Sequence, residues 1–318
     1  MNSNWEPSRI EHKIGINFKY DQTLRLALIH PSYAKLIHEP EINNQRLGLL
    51  GEAILNLVLA NYVYYNFSHF TVGKQKALVS KLTEPERLTN FWYDLQLGEF
   101  YPFLDLKEER HRLRVKQNNP FEKACKALIG AIFIDRGFAQ TRNWLEKRLI
   151  VPLLKKYLKP ELEPNPTDKH ILFLGENLLQ ALTLDYLYRH ILFVSPNILK
   201  SLTRKLTTKD SQNQYLKSSA PAWNDIFAER QQPKSYKTAL AEVYLHFNAD
   251  NGRSSFRKTS EYLVQNCLDN DEIMTEAIYL LQKDGKPQKW IIHKMMNYPS
   301  KRYNEGREKY YELLGESH

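Results

Sequence analysis

The sequence predicts an all-helical fold, on three observations. Apolar residues recur at three- and four-residue steps along most of the chain, no alternating strand pattern of useful length is found, and one helical stretch is repeated 124 residues later without a gap. The stripe Leu47, Leu50, Ile54, Leu57, Val58 and the Tyr62/Val63 pair lines one side of a long helix. It returns at Leu174, Leu178, Leu179, Leu182 and Tyr186. Leu50-Gly51-Glu52-Ala53-Ile54-Leu55 corresponds to Leu174-Gly175-Glu176-Asn177-Leu178-Leu179, and Leu78, Lys81, Leu82 and Thr83 stand opposite Leu202, Lys205, Leu206 and Thr207. An offset held over about thirty residues implies two copies of one domain.

The elements follow in order. A first domain over 1–158 is expected to close on a glycine-initiated helix, Gly137 to Leu154. Residues 159–166, with Pro160, Pro164 and Pro166 among charges, predict an extended linker. The second domain, 167–268, is expected to contain a loop from Lys217 to Lys234, marked by Pro221 and Pro233, and to end on a second glycine-initiated helix from Gly252. A mostly helical tail, 269–318, turns at Asp284-Gly285-Lys286-Pro287.

Composition narrows the class. With 318 residues the chain accommodates two ordinary cores. Lys+Arg 45 against Asp+Glu 36 gives a net charge of +9, which favours a polyanionic partner. Cys125 and Cys267 stand alone in apolar helical patterns and read as core thiols of a reducing compartment, without metal-ligand spacing. The start, Met1-Asn2-Ser3-Asn4-Trp5, has neither a basic leader nor an apolar core, so a cytoplasmic protein is expected. Gly51, Glu52, Asn56 and Asn61 interrupt the most apolar stretch, which falls short of the ~18 uninterrupted apolar residues of a membrane span.

Three motifs carry a family resemblance. Ala27-Leu28-Ile29-His30-Pro31-Ser32-Tyr33-Ala34 is similar to the opening "ALTHRSYA" of ribonuclease III domains. Gln45-Arg46-Leu47-Gly48-Leu49-Leu50-Gly51-Glu52-Ala53 resembles their signature "ERLEFLGDA", and Lys126-Ala127-Leu128-Ile129-Gly130-Ala131-Ile132-Phe133-Ile134-Asp135-Arg136-Gly137 their later "EALIGAIYLDxG". The resemblance covers roughly residues 10 to 155. It is weaker in the second copy, where Lys237-Thr238-Ala239-Leu240-Ala241-Glu242-Val243-Tyr244-Leu245 replaces the last motif. It implies an all-helical fold and a two-fold dimer that two copies on one chain can form internally, as a monomeric pseudo-dimer. The tandem layout resembles that of chloroplast intron-splicing factors.

The resemblance also implies cleavage of double-stranded RNA by Mg²⁺ ions held on carboxylates. Carried over by position, those acids are Gln45, Gly48, Glu52, Lys123 and Lys126 in the first copy, and Lys169, Leu172, Glu176, Lys234 and Lys237 in the second. Only Glu52 and Glu176 remain acidic. At ~4 Å and an effective dielectric of ~20, each like-charge pair costs roughly 4 kcal/mol per unit charge, doubled for a divalent ion. No catalytic residue, metal or cofactor is therefore expected.

Two readings of the lysines stand side by side: an ammonium can bind phosphate as a point charge, or lysine is simply what a disused exposed helix position drifts to. On the first, Lys123, Lys126, Lys234 and Lys237 contact RNA, joined by Arg112 and Arg114 in a basic stretch and by Lys289, Lys294 and Arg302 in the aromatic-rich tail. The expected function is non-catalytic binding of structured or double-stranded RNA in processing, splicing or ribonucleoprotein assembly. The alternatives are a divergent Mg²⁺-dependent endoribonuclease III and a scaffold subunit of a ribosome-like complex.

Overall fold

A computed structural model describes residues 6–97, 120–154, 166–227, 233–248 and 255–315, and every element among them is helical. Residues 159–165 of the expected linker, Gly252, and the basic stretch with Arg112 and Arg114 lie outside the described residues. The chain divides into two compact units, Met1–Asn177 and Leu178–His318.

In the first unit, α1 (Pro7–Ile14), α2 (Asp21–Leu28) and α3 (Pro31–Leu36) precede two long helices, α4 (Gln45–Asn66) and α7 (Pro120–Leu145), and α2 packs on α7. Between these come α5 (Val72–Leu82) and α6 (Pro85–Asp94). The "His-Pro-Ser-Tyr" motif works as a helix start. Pro31 sits at the first turn of α3 and the Nδ1 of His30 accepts from the Ser32 amide at 3.2 Å, satisfying a donor that the helix end leaves open. Asn44 then ties this corner to α4: its amide donates to Ile29 O at 2.8 Å and its side chain to Ala27 O at 3.2 Å.

The predicted stripe on α4 is buried, and α4 packs along α7 where Leu47, Gly48 and Gly51 approach Lys123, Lys126 and Gly130. Gln45–Asn66 has the length and hydropathy of a membrane span, yet 78% of that window is buried inside the protein, as befits a core helix. Within α7 the helix breaks at Gly137, whose φ of +79° is a conformation that L side chains rarely adopt, and it resumes towards a π-helical turn at Glu146–Ile150. The buried carboxylate of Asp135 closes this region by accepting from the amides of Lys19 (2.8 Å) and Tyr20 (3.0 Å).

The later helices are α8 (Asp168–His190), α9 (Pro196–Leu206), α10 (Lys209–Phe227), α11 (Tyr236–Asn248), α12 (Ser255–Cys267) and α13 (Asn270–Lys283). The division between the units falls within α8. Several boundaries keep the spacing of 124: α5 and α9 at both ends, α4 and α8 at their last residue, α6 and α10 at their first. Caps recur too. Thr71 caps α5 and Ser195 caps α9, while Thr83 Oγ1 bonds Val79 O at 3.1 Å and Thr207 Oγ1 bonds Thr203 O at 2.8 Å.

One expectation is corrected. The segment from Lys217 is not a loop: α10 continues through Pro221 to Phe227. Its docking on α11 and α12 outweighs the proline's missing donor, with Tyr215 edge-on to Tyr236 at 5.4 Å, Ser218 bonded to Asn266 O at 2.9 Å, and Ser219 bonded to the Cys267 thiol at 3.1 Å. Cys267 is thus half-buried among hydroxyls rather than in a plain apolar core.

The tail turns where expected, at Gly285 (φ +76°), with Lys286 N bonded back to Leu281 O at 2.9 Å. A helical turn at Gln288–Trp290 runs into π-helical Ile291–Met295, and α14 (Tyr303–Leu314) returns to α13 through Gln282 Nε2 and the Tyr310 hydroxyl at 2.6 Å.

Candidate functional site at the α4–α7 crossing

Glycine sets the geometry. A Cβ on Gly51 would lie 1.8 Å from Lys126 O, and one on Gly130 would lie 2.3 Å from Leu47 O. The two backbones therefore touch, and the residue after Gly51 is delivered against α7. Glu52 Oε1 accepts from Lys126 Nζ at 2.9 Å, and Glu122 Oε1, one turn before Lys126, accepts from the same nitrogen at 2.5 Å. Lys126 is 15% exposed, Glu122 11% and Glu52 45%.

Burial works against the charge on Lys126, but hydrogen bonds and charge from Glu122 and Glu52 outweigh it and hold its pKa above that of an ordinary lysine. Lys126 is consequently an ammonium at neutral pH and no general base. Beside it, burial first, then the Glu122 charge, pushes the Cys125 thiol up to about 12, so this sulfur is an unreactive neutral group.

The structure brings together Gly48, Glu52, Lys123 and Lys126 of the mapped positions, with a Gly48 Cβ only 3.7 Å from Lys123 O. Gln45 lies at the exposed start of α4. Lys123 is half-buried and has no side-chain partner among the described residues. Glu122 was not among the predicted residues. Its only sequence signal is the Glu-to-Lys spacing of four on one helix face.

Of the other mapped positions, Lys169 is exposed at the start of α8, Leu172 is 40% exposed, and Glu176 pairs with Lys76 of α5 at 3.4 Å. Lys234 is exposed and Lys237 half-buried. In the tail, Lys289 is exposed, Lys294 lies over the Phe193 ring at 5.4 Å, and Arg302 is already paired with Glu305 at 2.5 Å.

A hard divalent cation needs several oxygen ligands. At the crossing, the place between the two carboxylates is taken by an ammonium, and no other carboxylate is paired with it among the described residues. Nor is any group of three or more His, Cys, Asp or Glu among those residues placed to hold a metal ion. The residues present do not fit the cation that the resemblance implies.

These features define an all-helical domain built on two glycine-crossed helices. Residues 21–153 match the family model described as ribonuclease-III-like, and the chain carries a ribonuclease III-like domain there. Relatives named Ribonuclease 3 include that of Syntrophomonas wolfei, 33% identical over 132 residues, which spans 42% of this chain and 55% of the relative. Those of Nitratiruptor sp. and Aliarcobacter butzleri are 31% and 30% identical, spanning 42% and 49% of this chain and 56% and 65% of theirs. The chain thus spans a little over half the length of the first of these relatives. The nuclease domain of ribonuclease III from Campylobacter jejuni has 28% identity and a TM-score of 0.40, over 46% of this chain and 97% of that domain.

Proposed function

We propose that this chain holds structured, double-stranded RNA without cutting it, in RNA processing, splicing or ribonucleoprotein assembly. The observation that carries this reading is Lys126, an ammonium at a position where the family signature has an acid, bonded to Glu52 so that this carboxylate is neutralised. RNA is the ligand class implied by the ribonuclease III-like domain, and A-form duplexes are recognised by shape and phosphate rather than by base edges. The net charge of +9 supports a polyanionic partner. Lys123 and Lys234 supply point charges for phosphate. Lys126 is left out of that set because its charge is spent on Glu52 and Glu122.

The chain is read as two related halves, the second also degenerate at Lys169, Leu172 and Glu176, that pair within one cytoplasmic monomer. The recurring helix boundaries and caps support this tandem reading. Light scattering is then expected to report one chain mass at micromolar concentration. Fluorescence anisotropy with a labelled RNA duplex tests the main proposal. Binding should weaken as salt rises, and Lys123→Ala with Lys234→Ala should make the slope of log affinity against log salt shallower by roughly 0.7–0.9 for each phosphate no longer neutralised. Absence of binding at low salt would refute it.

A further inference from the structure

The carboxylate pair at the crossing is built to hold a cation. Two carboxylate oxygens converge on one nitrogen at 2.5 and 2.9 Å, and a hard cation with oxygen bonds of about 2.3–2.6 Å would draw them somewhat closer. Glu122 is fixed one turn before Lys126 on α7, and Glu52 is fixed by the backbone contact between Gly51 and α7. The crossing thus fixes the two backbones from which the carboxylates reach the same place.

We propose that the Lys126 ammonium is the built-in cation of the Glu52/Glu122 pair, so that the first unit folds without divalent metal, and that removing the ammonium turns the pair into a binding site for a hard divalent cation. This holds whether or not the chain binds RNA, so failure here and failure of the RNA-holding reading are separate results.

Thermal unfolding of the full chain in chelator and in millimolar Mn²⁺ is the test. The wild-type midpoint is expected to be the same in both media. Lys126→Met is expected to melt several degrees lower in chelator and to recover most of that loss in Mn²⁺. Adding Glu52→Gln and Glu122→Gln to Lys126→Met should abolish the response to Mn²⁺. Should Lys126→Met not fold in chelator, folding on addition of Mn²⁺ is the expected result. A wild-type midpoint that rises with Mn²⁺, a Lys126→Met protein that Mn²⁺ does not rescue, or a triple variant that gains as much as the single one would each overturn the proposal.

Discussion

Glu52 on α4 and Lys126 on α7 meet at 2.9 Å across a helix crossing whose backbones are in contact. The pair exists because Gly51 and Gly130 remove the side chains that would hold the helices at the usual 8–10 Å between axes. Packing thus decides where charge is placed.

Gly51→Ala should consequently be among the most damaging single changes in the chain. The new Cβ meets a backbone carbonyl, which cannot rotate away, so the cost should reach at least about 3 kcal/mol in urea denaturation. Gly48→Ala is the contrast. Its Cβ would have its nearest neighbour at 3.7 Å, and alanine suits a helix interior better than glycine by up to about 1 kcal/mol. Equal effects at the two positions would contradict the close approach.

The start of α8 should depend on a histidine more than on an ion pair. The amide of Thr167 donates to His170 Nδ1 at 3.0 Å, so the neutral ring carries its proton on Nε2 and donates to Phe70 O at 2.8 Å. This is the return half of a capping box, with histidine at the third helical position. Because His170 is buried, His170→Ala should cost about 1–3 kcal/mol. Lys76→Ala should cost at most about 1 kcal/mol, since Lys76 and Glu176 are both more than a third exposed. Denaturant midpoints of the two variants, compared with wild type, check the order.

Asp185 should burden the second unit at neutral pH. Burial raises its pKa, against the pull of Arg189 and His190. An acid with a raised folded-state pKa contributes stability that is fully present below its unfolded value of about 3.9 and lost as pH rises through the folded value. The position 124 residues earlier holds the neutral Asn61. Asp185→Asn should therefore raise the melting midpoint at pH 7, with the gain shrinking as pH falls towards 4. A lower midpoint at pH 7 would show that the bond from Arg189 at 2.7 Å outweighs the burial.

Much of this architecture was legible in the sequence. The apolar stripes of α4 and α8 stand out because helical periodicity survives any exchange of apolar residues, and the offset between Glu52 and Glu176 carries over to the helix boundaries themselves. Less legible was whatever depends on a tertiary partner. Pro221 reads as a loop residue until Tyr215 and Ser219 are seen docked on α11 and α12. Lys126 reads as a surface ammonium until Gly51 and Gly130 bring it against Glu52. Glu122 escaped notice because it lies one residue before the position where the family signature has its acid.

Incubating the purified chain with duplex RNA in Mg²⁺ and in Mn²⁺ tests the proposed loss of catalysis most directly. The duplex should stay intact, and restoring acids at Lys123 and Lys126 alone should not revive cleavage while Gln45 and Gly48 remain. Metal-dependent products that disappear on Glu52→Ala or Glu176→Ala would contradict it.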